Sequence, residues 1–178
     1  TGCYSSSIGT KMKEIIIGDN TRNDLINISN TNMKFSGLDK ATKLEYLDIT
    51  NIRNIMALDG LNSLLNIREL YAEGSSVANF TFADGAMIET LRLPSTIETL
   101  SLTRSSLIDY NGISFENDTY SALQNLTIDN CPQLMTDASF VLNWIASIPE
   151  DKLPDLTLNL QGIDWTFDSS TLNKLFLL

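Results

Sequence analysis

The sequence predicts an α/β solenoid, in which successive coils of the chain place parallel strands side by side. The first observation is a template, apolar-x-x-apolar-x-apolar, that recurs along most of the 178 residues. The second is the spacing of its copies, since most steps correspond to the roughly 20–29 residues of one solenoid coil. The third is the alternation of the last two apolar positions, which a strand with one buried face requires.

Seven copies of the template, and an eighth at 23 that lacks only the first apolar residue, define the expected strands in order. They begin at positions 12, 23, 44, 67, 88, 97, 123 and 153, so successive starts differ by 11, 21, 23, 21, 9, 26 and 30. At ~3.3 Å per residue, nine residues cannot go around a coil and return to a parallel neighbour, so one strand of each short pair must lie off the main sheet. Pro94 ends the segment Ile88–Leu93, which we therefore place on the return side of its coil. Main-sheet strands are expected to begin near 23, 44, 67, 97, 123 and 153.

One copy carries a longer signature. The segment Leu123-Gln-Asn-Leu126-Thr-Ile128-Asp-Asn-Cys131-Pro-Gln-Leu134 resembles the leucine-rich repeat, L-x-x-L-x-L-x-x-N/C-x-L. The resemblance extends over about residues 12 to 163, and Leu93–Leu100 is similar to irregular repeats of bacterial surface and bacteriophage virion proteins. It implies a curved parallel sheet with an open concave face and an irregular convex side. The N/C position is mostly not asparagine, and we expect hydroxyl groups to bond the turn backbone there. The residues at this N/C position in successive copies are Asn20, Thr31, Ile52, Ser75, Ser105, Cys131 and Gln161.

Two helices and the domain limits complete the expected fold. Residues 139–148 carry apolar side chains on one face, follow a polar start and stop at Pro149, which predicts a helix on the convex side. Residues 170–178 predict a helix that covers the open end of the core. The expected organisation is a polar N-terminal segment (1–11), a solenoid (12–163) and a C-terminal cap (164–178).

The residues between the apolar positions should point out of the concave sheet. Positions three, five and seven of each main-sheet copy give one outward triplet per strand. Among the residues of these triplets, Tyr46 and Tyr71 are the only aromatic ones, and carboxylates surround them. Tyrosine beside charged residues is typical of interface hot spots, although tyrosine and threonine also suit an ordinary solvated strand. The hypothetical partner-binding residues are Tyr46, Asp48, Glu69, Tyr71, Glu73 and Asp129.

Composition excludes several kinds of chemistry. The chain has no histidine and a formal net charge of −10, which argues against histidine-based catalysis, histidine-ligated metals and binding to nucleic acid. Asp48, Glu69 and Glu73 could approach each other, but a shallow polar sheet supplies no pocket to raise the pKa of one carboxyl. We therefore expect no enzyme activity, no cofactor and no metal site. No apolar run is long enough to insert into a membrane. Cys131 is expected to be a buried free thiol, and a disulfide bond between Cys131 and Cys3 is the alternative.

These observations lead to one functional expectation and two alternatives. The first is a non-catalytic module for protein–protein interaction, whose concave face takes a basic or hydroxyl-rich partner. A structural subunit or adhesin segment of a virion or bacterial cell surface, assembled with further copies or chains, is the second. A module that binds glycans through Tyr46 and Tyr71 is the third. The start at Thr1 and the apolar end suggest a processed chain or a piece of a longer one, and an extracellular, cell-surface or virion location.

Overall fold

The computed structural model describes residues 11–17, 33–105, 112–118, 120–131 and 157–159. These residues form short strands and 3-10 turns and contain no α-helix. The strands are β1 (Glu14–Ile16), β2 (Met33–Phe35), β3 (Tyr46–Asp48), β4 (Ile55–Leu58), β5 (Glu69–Tyr71), β6 (Asn79–Thr81), β7 (Thr90–Leu93), β8 (Thr99–Thr103), β9 (Ile113–Phe115), β10 (Asn125–Asp129) and β11 (Thr157–Asn159). The 3-10 turns are Leu38–Lys40, Leu61–Ser63 and Glu116–Asp118.

The described strands form three sheets in which every pairing is parallel. A five-stranded sheet has the order β1-β3-β5-β7-β9, a four-stranded sheet the order β11-β10-β8-β6, and β2 pairs with β4 alone. From β3 to β10, successive strands alternate between the five-stranded sheet and one of the other two. From β3 to β10 the described chain therefore winds from sheet to sheet, a solenoid-like course that brings parallel strands together.

Period-two alternation explains the strands. In β8 the sequence Thr-Leu-Ser-Leu-Thr and in β10 the sequence Asn-Leu-Thr-Ile-Asp bury each apolar residue and leave each polar one partly exposed. The buried residues meet in one apolar core. From the five-stranded sheet come Leu47, Leu70 and Leu91, and from the four-stranded sheet Phe80, Leu100 and Leu126, each at most 1% exposed.

The nine-residue step does place two strands in different sheets, as expected, but the assignment is reversed. Strand β7 belongs to the five-stranded sheet, where Leu91 pairs with Leu70, whereas β8 lies in the four-stranded sheet. The reason is spacing: Leu70 and Leu91 are one coil apart, and Leu100 pairs with Phe80, which lies one coil before it. Pro94 follows the last residue of β7 and so does not remove that strand from the sheet.

Two further registers differ from the expectation. Ile15 pairs directly with Leu47, so the segment that begins at Met12, and not the one at 23, is the neighbour of β3. Leu126 pairs with Leu158, whereas the template aligns it with Leu156. A shift of two residues keeps the same face toward the core, so the template cannot detect it. The segment beginning at 23, both expected helices and nearly all of the expected terminal segments (1–11 and 164–178) lie outside the described residues.

Small polar groups line the turns at the position where the leucine-rich repeat has asparagine or cysteine. Ser75 and Ser105 are buried, and the Ser105 hydroxyl donates to the Ala86 carbonyl at 3.1 Å. The Ser75 hydroxyl accepts a long bond of 3.5 Å from the Val77 amide. These contacts confirm that hydroxyl groups bond the turn backbone. Cys131 is a free, buried thiol, also as expected.

Candidate functional site

The middle of the five-stranded sheet carries most of the predicted partner-binding residues. Strands β3 and β5 pair in parallel, with Tyr46 opposite Glu69 and Asp48 opposite Tyr71. Leu47 and Leu70, the residues between them, are fully buried, so the flanking side chains lie on the opposite face of the sheet. The alternation of apolar and polar residues thus brings two tyrosines and several carboxylates onto one outward surface.

The two tyrosines contact each other across the strands. Tyr46 and Tyr71 occupy diagonal positions, and their ring centroids are 5.4 Å apart with an interplanar angle of 37°. The Tyr71 hydroxyl donates a hydrogen bond of 2.8 Å to Oε2 of Glu69. Burial raises the pKa of Tyr71 to about 12, and the hydrogen bond to the Glu69 carboxylate acts in the same direction. The two rings therefore form one aromatic patch, and the Tyr71 hydroxyl stays protonated at neutral pH.

A charged group borders the tyrosines on the side of β7. Glu73 follows β5, and burial raises the pKa of its carboxyl; Arg92 opposes this rise and Glu116 adds to it. Arg92 lies on β7, paired with Tyr71, and its Nη1 donates to the Gly112 carbonyl at 3.2 Å. This contact ties the guanidinium to the coil that follows. We call the surface made by Tyr46, Glu69, Tyr71, Glu73 and Arg92 the tyrosine face.

Two predicted residues do not belong to this face. Asp48 is only 2% exposed and its Oδ1 accepts a hydrogen bond of 2.9 Å from the Thr50 amide, so the expectation of an exposed carboxylate is wrong. Asp129 lies on β10 in the four-stranded sheet, where its Oδ1 accepts from Nδ2 of Asn130 at 2.6 Å. The predicted partner-binding residues are therefore divided between two sheets.

Sequence reasoning missed Arg92 because its strand was placed on the return side of the coil. In the structure Leu91 and Leu93 are buried and Arg92 between them is partly exposed, an alternation that strands of either sheet share. It also missed Ile16, which pairs with Asp48 in the same row as Tyr71 and Arg92 and is 61% exposed. An exposed isoleucine extends the row with apolar surface.

A ladder of alternating charge runs along the entry to the same sheet. Lys13, Glu45, Arg68 and Glu89 each stand directly before a strand. The Lys13 ammonium lies 2.8 Å from Oε1 of Glu45, and Nε of Arg68 donates to Oε1 of Glu89 at 3.0 Å. The bond to Lys13 lowers the pKa of the Glu45 carboxyl, and Arg68 contributes to this. Such exposed ion pairs add little stability. Their alternating sign places opposite charges side by side when the coils stack in this order.

Metal-binding groups and membrane-spanning helices are two other features that bear on function in the described part of the chain. No group of three histidine, cysteine, aspartate or glutamate side chains is close enough there to hold a metal ion. No described helix has the length and apolar character needed to cross a membrane. No protein-family model matches the chain, and no curated protein does.

Proposed function

We propose that the chain is a non-catalytic, leucine-rich-repeat-like module that binds another protein through the tyrosine face. The observation that carries this proposal is the contact of Tyr46 with Tyr71 on the outward side of the sheet, held by the bond from Tyr71 to Glu69. Tyrosine and arginine are enriched at the energetic centres of protein interfaces. Tyrosine buries much area with few rotatable bonds, and arginine presents a planar group with several hydrogen-bond donors. Arg92 supplies the second of these residue types at the border of the patch.

Charge supports a basic or hydroxyl-rich partner. Glu69, Glu73 and the neighbouring Glu116 outnumber the single guanidinium of Arg92 around the tyrosines. The net charge of −10 adds a long-range attraction for basic proteins and a repulsion for nucleic acid. Binding should therefore weaken as salt is added, because exposed charges are screened over about 8–10 Å at physiological ionic strength.

The shape of the surface supports binding over catalysis. The tyrosine face is an open sheet surface, and its residues line neither the cavity beside Leu58 and Asn79 nor the one beside Met12 and Phe35. General acid–base chemistry by paired carboxylates needs an enclosed site that holds their pKa values apart. We therefore assign these carboxylates to partner recognition.

A displayed library of random peptides, selected on the immobilised chain, tests the proposal. We expect enriched peptides rich in lysine and arginine, whose binding is at least tenfold weaker on the double variant Tyr71→Ala with Glu73→Lys. The matched control is Thr127→Ala with Asp129→Lys, which makes the same change in charge on β10 of the other sheet. Equal losses for both double variants would show a general charge effect and contradict the proposal.

The molecular mass in solution, measured by sedimentation, distinguishes the proposal from the alternative of a structural subunit in a virion or cell-surface assembly. A free binding module should sediment as a monomer across a range of protein concentrations. Reversible growth into larger species, retained in the Tyr71→Ala, Glu73→Lys variant, would favour the structural subunit.

A further inference from the structure

A groove opens between two coils on the side away from the tyrosine face. Strands β4 and β6 lie in successive coils, and the Ser76 amide donates to the Ile55 carbonyl at 3.1 Å where they begin. No ladder joins the two strands, because β4 pairs only with β2 and β6 only with β8 among the described strands. A cavity of about 380 Å³ lies between them. Its volume is within the range of ligand sites, about 300–1,000 Å³.

Local backbone geometry explains the opening. At Gly60 the chain takes φ +98° and turns into the 3-10 segment Leu61–Ser63. The following coil turns later: after Thr81 the chain continues alongside β8, where the Phe82 amide donates to the Ser101 carbonyl at 3.1 Å, and its positive-φ glycine is Gly85, with φ +79°. The two coils therefore separate at the ends of β4 and β6, and we call the resulting space the inter-coil groove.

The polar lining consists of side chains that donate and accept hydrogen bonds. Asn62 and Asn79 bring two exposed carboxamides, Asp59 an exposed carboxylate and Thr81 a half-buried hydroxyl. The Thr81 hydroxyl donates to Oδ1 of Asn79 at 2.7 Å, which orients that carboxamide and leaves its Nδ2 to serve as a donor. The apolar lining is Ala57, Leu58 and Leu61, and the two leucines are at most 7% exposed.

The lining excludes most other ligand classes. The described residues that line it include no lysine or arginine, so a phosphate or carboxylate would find no counter-charge among them. Its one carboxylate, Asp59, already accepts a hydrogen bond from Ser36 at 3.3 Å and cannot by itself hold a cation firmly. A wholly apolar ligand would displace water from the exposed carboxamides without replacing its hydrogen bonds. A neutral ligand with many hydroxyl groups and one apolar face meets each of these conditions.

We propose that the inter-coil groove binds a neutral saccharide. Asn62, Asn79 and Thr81 hydrogen-bond its hydroxyl groups, together with the Asp59 carboxylate as acceptor. The C–H face of the sugar ring lies over Ala57 and the small exposed parts of Leu58 and Leu61. This site is independent of the tyrosine face, so it stands or falls separately from the proposed protein-binding function.

Titration of the ¹⁵N-labelled chain with glucose, galactose, mannose and N-acetylglucosamine tests this proposal. We expect at least one of these sugars, at millimolar concentration, to shift the backbone amide signals of Gly60, Asn62 and Asn79 in a saturable way. The double variant Asn62→Ala with Asn79→Ala should weaken that binding at least tenfold. The matched control is Asn125→Ala, since Asn125 has the same register as Asn79 two strands further along the sheet and should bind as the unaltered chain does.

Three results would overturn the proposal. The first is that none of the four sugars shifts the groove signals. The second is that a sugar shifts the signals of Tyr46 and Tyr71 instead, which would place saccharide binding on the tyrosine face. The third is that the double variant, folded by circular dichroism, binds as tightly as the Asn125→Ala control.

Discussion

Gly60 lies against the backbone of Asp39 in the preceding coil, and a Cβ atom on Gly60 would stand 2.5 Å from the Asp39 nitrogen. Both coils make the same turn here: Gly37 and Gly60, one coil apart, each precede a short 3-10 segment, with φ +94° and +98°. A Cβ atom on Gly37, in contrast, would meet none of the described residues within 4 Å. Gly60 therefore allows the two turns to stack closely, whereas among the described residues Gly37 has no such close neighbour.

This difference predicts the effects of two alanine substitutions. Gly37→Ala should cost about 1–2 kcal/mol of unfolding free energy, the usual cost of a left-handed non-glycine residue. Gly60→Ala should cost that amount and about 1–3 kcal/mol more, because the coils must move apart. Urea unfolding of both variants measures the difference. Equal losses would show that the close approach to Asp39 contributes nothing.

The core predicts a larger effect for a buried leucine. Leu100 is fully buried and pairs with Phe80 on one side and Leu126 on the other. Leu100→Ala should reduce the unfolding free energy by about 2–5 kcal/mol, through lost burial and the cavity that remains. Leu65, which is 55% exposed, is the matched control, and Leu65→Ala should change stability by less than about 0.5 kcal/mol. A small loss at Leu100 would contradict the sheet assignment of β8.

The template predicted parallel strands correctly but could not separate the two sheets. Strands of the five-stranded and four-stranded sheets bury residues with the same spacing, so the template matches strands of either sheet. Val77-x-x-Phe80-x-Phe82 and Tyr110-x-x-Ile113-x-Phe115 fit the same template once aromatic residues are admitted at its apolar positions. With these copies the strands of the five-stranded and four-stranded sheets fall into two interleaved series, whereas β2 and β4 pair in a third sheet.

The candidate site was predictable where it depended on strand alternation alone. Tyr46, Glu69 and Tyr71 were found because they flank buried leucines in neighbouring strands. The burial of Asp48 was not predictable, because it depends on the local bond to the Thr50 amide and on neighbours in adjacent strands. The inter-coil groove was missed for a related reason: it results from the failure of β4 and β6 to pair, which no repeat pattern reveals.

Cys131 should be an unreactive thiol in the folded chain. It is 1% exposed, and burial raises the pKa of the thiol, which disfavours the reactive thiolate. In a Cys3→Ser variant, which leaves Cys131 as the sole cysteine, a disulfide reagent should react slowly under native conditions and completely in denaturant. Immediate native reaction would mean that this end of the four-stranded sheet is open to solvent.

Tyr71 predicts a loss of stability at high pH. Burial and the bond to Glu69 raise its pKa to about 12 in the folded chain, against a usual value of 10.0. Because the folded pKa is the higher one, the protonated phenol stabilises the fold; this contribution is complete below about pH 10 and is lost as the pH rises through about 12. Urea midpoints should therefore fall more steeply over this range for the unaltered chain than for Tyr71→Phe.

A second variant separates the two causes of the raised pKa. Glu69→Gln removes the carboxylate charge but leaves the burial of the phenol, the larger cause, in place. Ultraviolet titration should then place the Tyr71 transition below that of the unaltered chain and still above the usual 10.0. A transition that does not move would mean that Glu69 has no influence on Tyr71 in solution. In that case the hydrogen bond that holds the tyrosine face would be absent, and the proposed binding surface would lose its main support.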